Sequence, residues 1–330
     1  MVQFFVNLKR FDVARGRGGI CPEPYPATWI RNVANELDEL GLGSTDDYSL
    51  VFLLPELLIV PFAEALGSRD PERVRGIAYG VQSVFRADVQ PGGNFGAFTS
   101  NLPASAARGS GSTWAMIGHS EERADKSSLL ERLGPALAEH GMTMSRSTEA
   151  PASRAMHEQS VRRSAAKVVN QVVADEAARA AEAGLNVLVC IGETAEERGE
   201  GNLTDVSERV RSVLDDQLSP LVDVWRQLKD DVQLAIGYEP RWAIGPGRTP
   251  PDKEYIGYVT DYIRMTLEKQ LGHAIPVVYG GGLKTDNAGE IAAIDSVEGG
   301  LIALTSFTGQ IGFTTRGLAQ IIEAYLERAT

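Results

Sequence analysis

The chain has 330 residues, 43% of them hydrophobic, and 32 Lys and Arg against 44 Asp and Glu, for a formal charge of −12. That length can bury a large core, and the negative field argues against nucleic acid or an anionic membrane as partner. Two cysteines, Cys21 and Cys190, make no disulfide framework and fit a reducing cytoplasm, and no apolar run approaches the roughly 18 residues of a membrane span.

Strands are predicted near 3–7, 48–54, 76–82, 112–118, 185–190, 232–238, 275–279 and 300–305. Helices are predicted near 27–40, 57–66, 160–183, 203–228, 253–271, 287–293 and 314–328. The start, Met1-Val-Gln-Phe-Phe-Val6, reads as a short strand without a basic leader. Alternating β and α without a long linker predicts one α/β domain over 1–330 with a parallel sheet. Eight strands, with polar candidates only at their carboxyl ends, predict a (β/α)8 barrel.

The first strand ends in Asn7-x-Lys9. Two residues apart on a pleat, these side chains share one side and can offer an amide and an ammonium to one anion. The fourth strand, Thr113-Trp-Ala-Met-Ile-Gly118, ends at His119. Of the four histidines, His140 and His157 sit in polar or helix-like surroundings, and His273 precedes a strand. His119 alone ends a strand and precedes a helix start at Ser120, where imidazolium is disfavoured.

The sixth strand, Val232 to Ile236, ends in Tyr238-Glu239-Pro240, followed by a loop from Trp242 to Gly247 with glycines at 245 and 247. A carboxylate at a strand's end beside a loop able to close is how a buried general base is assembled. Trp242 and Ile244 are placed to exclude water and so raise its basicity. Taken singly, these residues also fit a surface acid, a satisfied structural histidine and an ordinary strand end.

Together they resemble the triosephosphate isomerase family. The matches run in chain order: Asn7-x-Lys9, Gly118-His119-Ser120-Glu121, Val189-Cys190-Ile191-Gly192-Glu193, Tyr238-Glu239-Pro240-x-Trp242-Ala243-Ile244-Gly245-x-Gly247, and Tyr279-Gly280-Gly281. The pairing of a glutamate base with a neutral histidine belongs to this family and comes with the resemblance. The resemblance implies Glu239 as base, His119 as neutral electrophile, and Lys9 and Asn7 as stabilisers of developing charge. It implies Glu121 behind Lys9, and Cys190 as a buried structural thiol. Gly245, Gly281 and Gly282, with Thr305 and Ser306, fall on the phosphate-binding loops. The implied reaction is aldose–ketose isomerisation through an enediolate, an intramolecular oxidoreduction. The first expectation is glyceraldehyde 3-phosphate and dihydroxyacetone phosphate, in glycolysis and gluconeogenesis. The alternatives are a four-carbon sugar phosphate such as an erythrulose phosphate, or a non-catalytic barrel that binds. No cofactor or metal is expected. The loop Gln90–Ser100 resembles the family's dimer loop, which implies a homodimer.

Three regions depart from the pattern. An insertion over 124–159 follows the fourth strand, with Leu129, Leu130, Leu133 and Leu137 at helical spacing and a polar stretch, Met142 to Arg154, expected as loop. The family's Gly-Gly-Ser is Gly280-Gly281-Gly282 here, and its last glycine pair falls on Leu304-Thr305. Arg241 replaces a small apolar residue, and Pro246 stiffens the closing loop. Glu122 stands where the family has an arginine, so a more negative field is expected near His119.

Overall fold

The computed structural model describes residues 1–139, 151–228, 231–244, 248–306 and 309–329. Eight parallel strands close into a barrel in chain order: β1 (Val2–Asn7), β2 (Tyr48–Leu54), β3 (Ile77–Val81), β4 (Trp114–Ile117), β5 (Asn186–Ile191), β6 (Leu234–Tyr238), β7 (Val277–Tyr279) and β8 (Gly299–Ile302). Closure is made by β1, which pairs Val2 with Tyr48 on one side and Gln3 with Gly299 on the other.

The period of two decides what lies inside. Phe5, Val51, Leu53, Trp114, Met116, Leu188, Cys190, Ala235, Val278 and Leu301 fill the barrel interior as one cluster. Phe5 meets Trp114 edge to face at 4.9 Å. The alternate residues, Phe4, Val6, Leu50 and Phe52 among them, point out beneath the helices. Those helices are α1 (Pro26–Glu39), α2 (Glu56–Gly67), α3 (Pro71–Val74), α4 (Ala104–Gly109), α5 (Ser120–Glu139) and α6 (Pro151–Glu182). They continue with α7 (Ala195–Arg198), α8 (Leu203–Trp225), α9 (Lys253–Leu271), α10 (Ala288–Ala292) and α11 (Thr315–Ala329). Side-chain caps fix several starts: Asn202 and Asp205 form a capping box on α8, and Asp252 accepts the Tyr255 N–H on α9.

The insertion after β4 is helical on both sides. α5 carries the four expected leucines, with Leu130 packed toward the core and Leu129 and Leu133 exposed. The polar stretch expected as loop is helical from Pro151, where α6 begins; residues 142–150 lie outside the described residues. β8 ends at Ile302 and not at 305, because Ser306 turns back to bridge Gly312.

Candidate active site

All four expected catalytic side chains lie at the carboxyl ends of strands. Asn7 closes β1 and is buried. Its Oδ1 accepts from the Lys9 N–H at 2.9 Å and from Gln82 Nε2 at 3.1 Å. Gln82, just past β3, also reaches the carbonyls of Lys9 (2.9 Å) and Leu53 (3.1 Å). These bonds hold Lys9 at φ 39°, a left-handed conformation that a lysine seldom adopts unaided. The Lys9 ammonium meets Glu121 Oε1 at 2.7 Å. Burial raises the Glu121 carboxyl, but the hydrogen bond and charge of Lys9 outweigh it and leave it lowered.

His119 follows a left-handed turn at Gly118, φ 71°. Its Nδ1 accepts the Glu121 backbone N–H at 3.3 Å. An accepting Nδ1 carries no proton, so the bonding assigns the neutral Nε2–H tautomer. Nε2 lies 3.2 Å from Glu239 Oε1. The other carboxylate oxygen accepts the Ser120 N–H at 2.9 Å, and the Ser120 hydroxyl lies 3.3 Å from Oε1. Glu239 is buried. Its backbone N–H bonds the Ile191 carbonyl, and the residue after Ile191 must be glycine: a Cβ on Gly192 would lie 1.9 Å from the Glu239 carbonyl oxygen. Contacts therefore run from Lys9 through Glu121 to His119, at 4.0 Å from Glu121 Oε2 to Nδ1, and on to Glu239.

Three supporting residues gain most of their contacts from the fold and not from sequence spacing. Arg123 is buried, with Nε donating to the carbonyls of Gly118 (2.8 Å) and Cys190 (3.1 Å) and Nη1 to Asn170 (2.8 Å). Burial, then the charge of Arg241, pushes its pKa down to about 10. Glu193 accepts from Trp242 Nε1 (2.7 Å), Tyr255 OH (2.7 Å) and Tyr238 OH (3.1 Å). Burial raises its carboxyl against those three donors. Gln82 is the third. Its amide joins β1 and β2 at their ends, which no local spacing announces.

Glu122, expected to make the field near His119 more negative, is held by three donors. Its oxygens are taken by the Gly118 N–H, Ser83 Oγ and Lys126 Nζ, each at 2.7 Å, so its charge is partly offset by an ammonium on the next turn of α5, which Glu176 of α6 shares. Cys190 is fully buried in the barrel interior. Desolvation and the nearby Glu239 carboxylate push its thiol well above the ordinary range.

The expected phosphate loops are reached in part. The Gly281 carbonyl accepts the Tyr279 hydroxyl at 3.1 Å, and exposed Gly282 has φ 98° with its carbonyl held by Asn287. The Thr305 and Ser306 N–H groups both donate to the Gly312 carbonyl, at 3.1 and 3.0 Å. Their hydroxyls donate to the carbonyls of Thr314 (2.9 Å) and Gln310 (3.2 Å). Gly245, Pro246 and Gly247 lie outside the described residues. Among the described residues no group of three or more His, Cys, Asp and Glu is placed to hold a metal ion.

The fold and the mouth geometry define a (β/α)8 barrel with a buried carboxylate facing a neutral imidazole. A profile of triosephosphate isomerase matches residues 148–324, more than half of the chain. The triosephosphate isomerase of Jannaschia sp. is 30% identical over 271 residues, covering 81% of this chain and 84% of that protein. That of Stenotrophomonas maltophilia is 29% identical over 281 residues, covering 82% and 86%. That of Bordetella pertussis is 38% identical over 141 residues, covering 43% of this chain and only about half, 53%, of that protein. The chain belongs to the triosephosphate isomerase family. Its fold matches the crystal structure of triosephosphate isomerase from Bartonella henselae, with a TM-score of 0.62 and 20% identity over 98% of this chain and 99% of that one.

Proposed function

We propose that the chain isomerises a small sugar phosphate between aldose and ketose by proton transfer through an enediolate, with glyceraldehyde 3-phosphate and dihydroxyacetone phosphate as the first pair. The observation that carries this reading is the 3.2 Å approach of neutral His119 to the buried Glu239 carboxylate. Glu239 takes the proton from the carbon beside the carbonyl. The His119 Nε2–H polarises that carbonyl and passes a proton between the two oxygens. One proton cannot serve two acceptors, so a substrate oxygen has to replace Glu239 Oε1 at Nε2. Lys9 and Asn7 stabilise the developing negative charge, and Glu121 orients Lys9.

The phosphate falls to the loops of Gly245, Gly281, Gly282, Thr305 and Ser306 in this reading. A four-carbon phosphate is the second reading. It is favoured by the internal bonding of Thr305 and Ser306, whose donors already serve Gly312, Thr314 and Gln310. The enzyme is further read as one domain over 1–330 carrying the 124–159 insertion, and as a cytoplasmic homodimer in which Thr99 approaches Asn7 of a second copy.

The test is kcat/KM for glyceraldehyde 3-phosphate against an erythrulose phosphate. The triose is expected to give the higher value, above about 10⁴ M⁻¹s⁻¹. A lower triose value with a higher tetrulose value replaces the substrate and keeps the chemistry. No turnover of either leaves the binding-protein alternative.

A further inference from the structure

Gly118 immediately precedes His119, and its left-handed φ of 71° leaves its peptide groups without a regular strand or helix partner. Both are met by consecutive residues of α5. The N–H donates to Glu122 Oε2 at 2.7 Å, and the carbonyl accepts from Arg123 Nε at 2.8 Å. The other Glu122 oxygen accepts from Ser83 at 2.7 Å. Ser83 adjoins Gln82, whose amide holds Asn7 Oδ1 and the Lys9 carbonyl. One carboxylate thus ties the histidine turn to the segment that braces the amide and the ammonium. Hydrogen bonds to a charged acceptor are about twice as strong as neutral ones.

We propose that Glu122 is a positioning residue: its carboxylate fixes the Gly118–His119 turn against the Gln82–Ser83 segment, and so sets where the imidazole meets the substrate. The proposal rests on the reading of His119 as the group that polarises the carbonyl.

The surroundings keep Glu122 ionised for this role. Its side chain is 16% exposed, and Lys126 Nζ sits at 2.7 Å. Lys126 is shared with Glu176 of α6, itself buried. Burial raises Glu122, but Lys126, Ser83 and the Gly118 N–H together lower it. Glu176 is pushed up to about 7, first by burial and then by the Glu122 charge. The arrangement also makes the proposal testable. Removing the Glu122 carboxylate leaves Lys126 paired with Glu176, so no ammonium is stranded.

The experiment compares Glu122→Ala, Glu122→Gln and the parent enzyme by steady-state kinetics with glyceraldehyde 3-phosphate and by amide hydrogen exchange. Glu122→Ala is expected to lose about tenfold or more in kcat with KM within about threefold, since small misplacements of a catalytic group carry losses of this order. Glu122→Gln keeps an oxygen for the Gly118 N–H and is expected to recover kcat to within about threefold of the parent. Exchange at the Gly118 and His119 amides should rise in Glu122→Ala, while the other strand ends stay protected. A folded Glu122→Ala with kcat within about threefold of the parent overturns the proposal, and so does a Gln variant as slow as the Ala variant. If Glu122→Ala does not fold, Glu122→Asp, one methylene short of Gly118, is read by the same criteria. If the parent turns over no sugar phosphate, the functional reading falls. The exchange comparison then decides the clamp alone, and unchanged protection at Gly118 overturns it.

Discussion

At Glu239 a buried carboxylate is shared between Ser120 and His119. An amide of the same shape fits that space, so Glu239→Gln is expected to fold. It cannot accept the substrate proton, so kcat should fall by orders of magnitude. A variant keeping more than about a tenth of the parent kcat, a loss under about 1.4 kcal/mol, would remove Glu239 as the base. Glu239, His119, Asn7 and Lys9 are legible in the sequence because each is a polar residue at, or within two residues of, the end of an apolar strand, which in a barrel of this kind is the mouth. Gln82, Arg123 and Glu193 are not legible in these roles. Their partners include carbonyls of other strands, the Asn170 amide of α6, and ring donors of the β6 end and α9, and sequence spacing does not reveal which ones converge. Glu122 is a different case. Its ion-pair partner Lys126 lies four residues on, one helical turn away, so the pairing is a local signal that the family motif alone does not carry.

The entry to the closing loop is held by Trp242, whose indole N–H bonds Glu193 at 2.7 Å and whose ring meets Tyr255 edge to face at 5.5 Å, beneath Arg198. Closure over an anionic enediolate mimic such as phosphoglycolate should pull the indole from this setting and change Trp242 fluorescence. An unchanged spectrum at saturation, with binding shown by calorimetry, would mean that the loop is fixed. Between α5 and α6, Glu176 is raised from an ordinary 4.5 to about 7. A raised acid binds its proton more tightly in the folded state, so its contribution to stability is present at low pH and lost as pH rises from about 4.5 through 7. Glutamine behaves as the protonated acid throughout. The difference in Tm, Glu176→Gln minus parent, should therefore grow more positive from pH 5 to pH 8. A flat or falling difference would show that Lys126 fully offsets the second carboxylate. Long elements such as α8 and α9 are legible from their periodicity, whereas α3, α4 and α7 span only four to six residues. That is too few turns for a helical period to show.

The assembly question belongs to the whole molecule and turns on the loop from Gln90 to Ser100. Every residue of this loop is exposed apart from Phe98, which lies edge to face on Phe85 at 5.6 Å. Phe95 at its tip is 89% exposed and held at φ 54°, a conformation uncommon for a bulky residue. Asp88 anchors the base through Ser105 and the Asn94 amide, so the loop projects as a shaped body. An aromatic presented to water on a braced projection fits an interaction surface better than a monomer's face. A second copy is the proposed occupant, because Gly96-Ala97-Phe98-Thr99 resembles the core of the family's dimer loop. Light scattering at micromolar concentration should give twice the chain mass of 35.6 kDa. Phe95→Asp would place a charge in the buried centre of such an interface, where an unpaired charge is strongly unfavourable. It should shift the species toward the single-chain mass and lower kcat with it, if Thr99 of one copy supports Asn7 of the other. A parent protein that scatters as a monomer would remove the dimer. A Phe95→Asp variant that remains dimeric and fully active would place the contact elsewhere on the barrel.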